Sequence, residues 1–288
     1  MKLDGKTRLI SFGCSFTSGA ELIDHELLGI SFDECNKIKQ QWTSERKPLY
    51  EFEEYVARAA KISLEEYVNM GSKRSYAAKL ADKLGLEHVN YAVPGAAVDH
   101  MTLNLFQGYY TEKLNPNTDL IFLGLTTPHR YLTFSPERTG AALSRVMSDH
   151  SVHDSDMHYN DYKVMQTYFF ALQNFKNFCI VNNFDFYIQP VAPKQLLFYN
   201  ESEKKNIFAD ICAAWQLLPT FEEIFKEILN YSVDQNTSLF AAYNNYLDGN
   251  TGFRQLLPSD VCGFKHPSEL AHVFFAEVLY DKIITAQN

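Results

Sequence analysis

Residues 8–19 read Arg-Leu-Ile-Ser-Phe-Gly-Cys-Ser-Phe-Thr-Ser-Gly, and this stretch decides the fold. Its first half, 8–13, is a short apolar run rich in strand-forming side chains that ends in Gly13. Such a run is typical of a buried strand in a parallel sheet. A turn of small residues follows, so Ser15 is expected at the carboxyl edge of the sheet, where backbone N–H groups can face an anion.

Further along the chain, strand-like runs alternate with segments of helical spacing. The strand-like runs are 88–92, 120–124 and 185–191, and the helical segments are 75–84, 98–114, 162–182, 208–229 and 267–285. This alternation predicts a single α/β domain over residues 1–288, with a parallel sheet and helices on both faces. In such sheets the site forms at the carboxyl ends of the strands.

A polar, acidic stretch from about Glu21 to Met70 interrupts this alternation after the first strand. It contains helix-like runs such as 50–60, which predicts a helical insertion and not part of the sheet. Because the insertion follows the Ser15 turn directly, we expect it to cover the site as a lid.

Composition excludes several classes of function. The chain has 288 residues and a formal net charge of −9, with no long Lys/Arg stripe, so neither nucleic acid nor an anionic membrane is an expected partner. The N-terminus lacks the apolar core of a secretion signal and no stretch is long enough to span a bilayer, so we expect a cytoplasmic protein. Five cysteines without a C-x-x-C pair favour reduced, buried thiols: Cys14, Cys35, Cys179, Cys212 and Cys262.

Ser15 is a candidate nucleophile only if the chain also supplies a base, because a serine hydroxyl is weakly nucleophilic by itself. His266 is the best candidate. It precedes Pro267 and the last predicted helix, so it lies in a loop that can bring the imidazole over the sheet edge.

Four segments, in order, resemble the motifs of the SGNH (GDSL-like) hydrolases. Residues 13–19 look like the G-D-S motif, with Cys14 in place of the usual Asp, and 90–96 resembles N-x-A-x-x-G. Residues 124–127 fall where G-x-N-D is expected, and 266–268 resembles the final motif that holds the base. Four motifs in order are far more specific than a lone G-x-S. The stretch from Ser75 to Ala96 is especially similar to SGNH proteins of bacteria and tailed phages.

The resemblance implies a flavodoxin-like three-layer α/β/α sandwich and acyl transfer through a seryl ester. In the mechanism that the resemblance implies, Ser15 would attack a carbonyl carbon and His266 would accept its proton. Backbone N–H groups of Ser15 and Gly95 would stabilise the oxyanion, with Thr126 standing where the family carries an Asn. This chemistry requires no metal or organic cofactor.

A second departure from the family concerns the acid of the triad. The family usually has Asp three residues before the His, where this chain has Gly263. Asp260 is the nearest upstream acid, so either it orients His266 or a main-chain carbonyl does so in a Ser-His dyad. Cys14 is an alternative nucleophile, although the spacing from Gly13 favours Ser15.

Other polar residues carry weaker indications. Asn90, in the predicted strand 88–92, and His129 and Arg130, which follow the third predicted strand, are candidates to bind substrate. Asn90 can equally bond the nearby backbone, and Arg130 can be a surface residue. The His/Asp-rich stretch 149–158 has zinc-like ligand types but no metal-site spacing, so a solvated loop is favoured. His272 is expected to pack or cap.

These observations predict a serine esterase that hydrolyses a short acyl, acetyl-like ester of a small molecule or carbohydrate. One alternative is an O-acyltransferase that passes the acyl group to a carbohydrate or another hydroxyl through the same seryl intermediate. A second alternative is a non-catalytic binding module on an SGNH scaffold, which the departures at Thr126 and Gly263 favour. The sequence leaves the acyl group, the acceptor and the oligomeric state open.

Overall fold

The computed structural model describes residues 3–45, 47, 49–125, 130–134, 142–146, 161–190, 199–200, 205–206, 218–219, 224 and 269–285. The helices are α1 Ser15–Ser18, α2 Asp24–Leu28, α3 Phe32–Ser44, α4 Leu49–Ala59, α5 Leu64–Arg74, α6 Tyr76–Leu84, α7 Val98–Tyr110, α8 Asp161–Val181 and α9 Glu269–Thr285. The strands are β1 Arg8–Phe12, β2 Glu87–Asn90, β3 Asp119–Leu125, β4 Arg130–Phe134, β5 Ala142–Val146, β6 Asp185–Pro190, β7 Tyr199–Asn200 and β8 Lys205–Asn206.

Four of these strands form one parallel sheet in the order β2-β1-β3-β6. β1 pairs with β2 on one side and with β3 on the other, with Ile10 opposite Val89 and Ile121. The strand order therefore reverses beside β1, which makes its carboxyl end a topological switch point of the flavodoxin-like kind. Ser15 follows that end by three residues.

Helices cover both faces of the sheet, because alternate side chains of each strand point to opposite sides. On one face Leu9, Leu120 and Phe122 pack with residues of α6 and α9. On the other face Ile10, Ile121 and Leu123 pack with residues of α7 and α8. All seven residues of β3 are buried, as its continuous apolar run predicts for a central strand. The described elements thus form the predicted three-layer α/β/α arrangement.

The segment predicted as an insertion, about Glu21 to Met70, contains helices α2 to α4, most of α5 and a small core of its own. The core residues are Leu22, Ile23, Cys35, Phe52, Val56, Ala57 and Tyr67. A buried charge cluster lies beside it: Lys39 Nζ is 2.6 Å from Asp24 Oδ2 and 3.2 Å from Glu21 Oε2. Burial would lower the pKa of Lys39, but these two carboxylates raise it well above its usual range.

The amino edge of the sheet is held by ion pairs. Arg8 donates from Nε and Nη2 to the two carboxylate oxygens of buried Asp119, at 2.8 and 2.7 Å. Lys6 Nζ lies 2.9 Å from Asp185 Oδ2. A planar guanidinium matches a carboxylate in this two-bond geometry, so the pair fixes the register of β1 on β3.

The predicted elements within the described residues are confirmed, with ends that differ by a few residues; the largest difference is at α7, which ends at Tyr110 and not at Leu114. The antiparallel hairpin of β4 and β5 was not predicted. Most of the predicted helix 208–229 lies outside the described residues. None of the described helices has the length and apolar character needed to cross a membrane.

Candidate active site at the carboxyl edge of the sheet

The turn after β1 is a single turn of helix, α1, that begins at Ser15. Cys14, in an extended conformation, is the N-cap residue of this helix, so Ser15 is its first helical residue. The N–H groups of Thr17 and Ser18 both donate to the carbonyl of Cys14, at 3.0 and 2.9 Å, which leaves neither amide for an oxyanion. Ser15 is buried at 7% exposure.

Thr17 fits into a notch between two glycines at the ends of adjacent strands. A Cβ added to Gly13 would lie 2.2 Å from Thr17 Oγ1, and one added to Gly124 would lie 2.1 Å from the same atom. No real Cβ approaches an atom so closely. Glycine at both positions therefore allows α1 to pack closely against the sheet. Gly13 and Gly124 belong to the first and third motifs, which are therefore in direct contact around Thr17.

Asn90, at the end of β2, connects several parts of this edge. Its Oδ1 accepts hydrogen bonds from Ser11 Oγ at 3.1 Å and from the N–H of Ala92 at 2.9 Å. Its Nδ2 donates to Ser72 Oγ in α5 at 2.9 Å. The Asn90 amide thus holds together β1, the loop after β2 and the last helix of the insertion. Whether it also contacts a substrate stays a prediction.

His88 lies beside Asn90 and bonds the same serine. The Nε2 atom of His88 lies 2.9 Å from Ser11 Oγ. Because the Ser11 hydroxyl donates its proton to Asn90, it accepts from His88, which places the imidazole proton on Nε2. Burial lowers the pKa of His88 to about 4. This neutral histidine therefore supports the strand ends and was not singled out from the sequence.

The loop that carries Gly95 lies against the Ser15 turn. The N–H of Val93 donates to the carbonyl of Gly13 at 3.0 Å, and the N–H of Ala96 donates back to Val93 at 2.9 Å. Gly95 has a φ of +78°, a left-handed conformation that favours glycine. No atom lies within 4 Å of the position where a Cβ would stand, so this turn has an open side.

Tyr76, the first residue of α6, contacts both the Ser15 turn, α1, and the helix α9. Its hydroxyl lies 3.0 Å from Thr17 Oγ1, and its backbone N–H donates to His272 Nδ1 in α9 at 2.8 Å. His272 is 1% exposed and satisfies an amide in the first turn of α6, so the prediction that it packs or caps is confirmed. Nearby, Glu269 at the start of α9 binds Lys79 at 3.0 Å.

His266, Asp260, Thr126 and His129 lie outside the described residues, as does the stretch 149–158. Thr126 directly follows Leu125, the last residue of β3, and Arg130 is the first residue of β4. Within the described residues no group of His, Cys, Asp and Glu side chains could hold a metal ion.

Several residues of this edge were missed from the sequence. Thr17, Tyr76 and Gln189 are completely buried, and the Tyr76 hydroxyl is hydrogen-bonded to each of the other two side chains. Tyr and Gln occur widely on protein surfaces, and no local pattern marks them as buried. The sequence points to just one of these three residues, because Thr17 belongs to the first motif.

No protein-family model and no curated protein matches this chain. Among solved structures it is similar to a protein from Desulfitobacterium hafniense DCB-2 assigned to the G-D-S-L lipolytic family, with 10% sequence identity and a TM-score of 0.45. That similarity covers 96% of this chain and 99% of the other. A likeness at this level identifies neither a shared family nor a shared activity.

Proposed function

We propose that this protein is a serine esterase that hydrolyses a short acyl ester, with Ser15 as nucleophile and His266 as general base. The observation that carries the proposal is the position of Tyr76. One buried residue bonds the helix turn that begins at Ser15 and the helix that starts three residues after His266. This contact supports the proposal, because it joins the turn that carries Ser15 to the helix that follows His266 in the sequence.

In this proposal the Ser15 hydroxyl oxygen attacks the carbonyl carbon of the ester while its proton moves to the imidazole of His266. The tetrahedral oxyanion is stabilised by the N–H groups of Ser15 and Gly95, with Thr126 as a further donor. Collapse of this intermediate gives a seryl ester and releases the alcohol, which takes the proton from His266. Water, activated by the same imidazole, then releases the acid. Asp260 is the proposed orienting acid of His266.

The test is labelling with a fluorophosphonate probe together with turnover of p-nitrophenyl acetate. Ser15→Ala and His266→Ala should each lose labelling and lower kcat on the order of 10³-fold or more, because nucleophile and base act as a unit. Ser44→Ala, which removes an exposed serine hydroxyl on α3, is the matched control. Cys14→Ala should keep labelling, since the thiol is not the proposed nucleophile.

Two outcomes would redirect the proposal. A folded wild-type protein that neither labels nor turns over would favour the binding module on this scaffold. Labelling without hydrolysis, with product formed only when a carbohydrate or another alcohol is added, would favour the O-acyltransferase, which uses the same seryl ester.

A further inference from the structure

A directed chain of buried hydrogen bonds runs beneath the carboxyl edge of the sheet. The Tyr76 hydroxyl donates to Gln189 Oε1 at 3.3 Å, so the hydroxyl of Thr17, 3.0 Å away, donates to Tyr76. Gln189 Nε2 in turn donates to the carbonyl oxygens of Pro190 at 2.7 Å and Pro219 at 3.3 Å, which sets the orientation of its amide. The chain thus links α1 to β6 across β3.

This chain has the properties of a fixed support. All three side chains have no solvent exposure, and burial raises the pKa of Tyr76 well above its usual range, so its hydroxyl keeps its proton. Buried polar networks in which every member is bonded make a structure rigid and specific. Thr17 is also closely packed between Gly13 and Gly124, where an added Cβ would lie 2.2 and 2.1 Å from its Oγ1, so its side chain has little room to move.

The helix turn that carries Ser15 needs such support. α1 has only four residues, and helices this short have negligible stability by themselves. Its orientation must come from contacts with the rest of the molecule. Thr17 provides a side-chain bond from α1 to α6, and α6 in turn bonds α9 through the N–H of Tyr76.

We propose that Thr17, Tyr76 and Gln189 are positioning residues that fix the nucleophile turn relative to the start of α9. The inference deepens the proposed function, because its catalytic consequence rests on Ser15 being the nucleophile. A misplacement of about 1 Å at a reacting group can cost on the order of 100-fold in rate. Loss of the chain should therefore reduce kcat more than it changes KM.

Thr17→Val and Tyr76→Phe each remove one hydroxyl and keep the shape of the side chain. We expect kcat for p-nitrophenyl acetate to fall about 10- to 100-fold in both, with KM within about twofold. Thr17→Ser should restore kcat. The double variant should be no slower than the worse single variant, because both break the same chain. Thr102→Val is the matched control: it removes another buried threonine hydroxyl, which bonds Val98 and Ala171 on the opposite face of the sheet.

Amide hydrogen exchange of a peptide spanning residues 13–19 provides a readout that does not require activity. Exchange should be at least about tenfold faster in Thr17→Val and Tyr76→Phe than in Thr17→Ser and Thr102→Val. The inference is overturned if Thr17→Val and Tyr76→Phe match Thr102→Val in both kcat and exchange. If the wild type is inactive and unlabelled, the proposed function fails, and the exchange rates alone decide whether this chain holds the turn.

Discussion

At the scale of single residues, Gly124 shows how tightly the carboxyl edge is packed. An alanine Cβ there would meet Thr17 Oγ1 at 2.1 Å and the Tyr76 hydroxyl at 2.7 Å. Gly124→Ala should therefore displace both groups, lower the free energy of unfolding by about 1–3 kcal/mol and reduce the proposed esterase activity. Urea unfolding and p-nitrophenyl acetate turnover measure the two effects.

Gly29→Ala is the matched control for this prediction. Gly29 has a φ of +67° and no atom within 4 Å of the place that a Cβ would occupy, so the substitution costs only backbone strain, about 1–2 kcal/mol. Activity should be unchanged. Equal loss of activity in both variants would show that general destabilisation, and not the contact with Thr17, is responsible.

Glu53 is a second residue at this scale, and its side chain should make the stability of the protein depend on pH. Burial, followed by the nearby carboxylates of Asp24 and Glu21, raises the pKa of Glu53 to about 7, although Lys39 opposes this. The folded protein then binds more protons than the unfolded chain between about pH 4.5 and 7. Its contribution to stability is therefore most favourable below about pH 4.5 and is lost as the pH rises through 7.

Glu53→Gln should remove this dependence. The free energy of unfolding should rise by roughly 1–2 kcal/mol above pH 7 and remain unchanged near pH 4.5, because solvent reaches part of the side chain and reduces the full effect. Urea midpoints measured from pH 4.5 to 8 test this. Glu54→Gln, on the exposed side of the same helix, should give a flat difference across that range. A flat difference for Glu53→Gln as well would contradict the raised pKa.

At the scale of elements, the predicted insertion is attached directly behind the turn that carries Ser15. Gly19, the C-cap of α1, and Gly71 in α5 approach so closely that a Cβ on Gly19 would lie 2.3 Å from the Gly71 carbonyl oxygen. Asn90 bonds Ser72 in the same helix, and Arg74 donates to Glu26 and Glu269. α5 therefore packs directly against the candidate site. Helices α2 to α4 are connected to α5 mainly through the small core of the insertion.

Because α5 is connected to the candidate site more closely than α2 to α4, the lid hypothesis can be tested without removing α5. Replacing residues 24–60 with a short flexible linker while keeping α5 should leave the sheet folded and change the range of ester chain lengths hydrolysed. Circular dichroism and turnover of a p-nitrophenyl ester series measure the two outcomes, with Tyr67→Ser in the shortened chain to limit exposed apolar surface. Loss of the cooperative unfolding transition would refute the lid.

Elements differ in how far the sequence predicts them. β1 and β3 were predicted because short, continuous apolar runs bounded by turn residues are typical of buried parallel strands, and α6 because Gly85 follows its last residue, where the structure has a φ of +69°. The β4–β5 hairpin was not predicted, since its strands lack strict alternation and a short turn signal. The site was predicted as an edge where motifs meet, but the bonds of Thr17, Tyr76 and Gln189 depend on residues up to 113 positions apart, which no local pattern reveals.

At the scale of the whole molecule, the two ends of the parallel strands differ in role. Ion pairs at the amino ends stabilise the sheet, and the carboxyl ends are where we propose that the reaction takes place. Asp119 at the amino edge accepts from Arg8 and from the N–H of Asn115 at 2.7 Å, with no exposure of its own. Asp119→Ala should lower the free energy of unfolding by about 3 kcal/mol, because it leaves these donors unpaired.

The catalytic consequence of that change should be small. At temperatures where the variant remains folded, kcat for p-nitrophenyl acetate should stay within about twofold of wild type, since Asp119 lies at the opposite end of β3 from Thr126. Asp82→Ala, which removes an exposed carboxylate from α6, should change neither quantity. A large fall in kcat without loss of stability in Asp119→Ala would contradict this separation of the two edges.

The reaction of the buried thiols can be used to measure local opening of the structure. Cys14 lies at the nucleophile turn, Cys35 in the insertion and Cys179 in α8, each at 2% exposure or less. Burial raises the pKa of Cys35 to about 11 and that of Cys179 well above its usual range, so alkylating reagents react only when the surrounding structure opens. With Cys212 and Cys262 replaced by Ala, the alkylation rates of the other three cysteines would report separately on the opening of the Ser15 turn, of the insertion and of the helix layer that contains α8. No added label is needed.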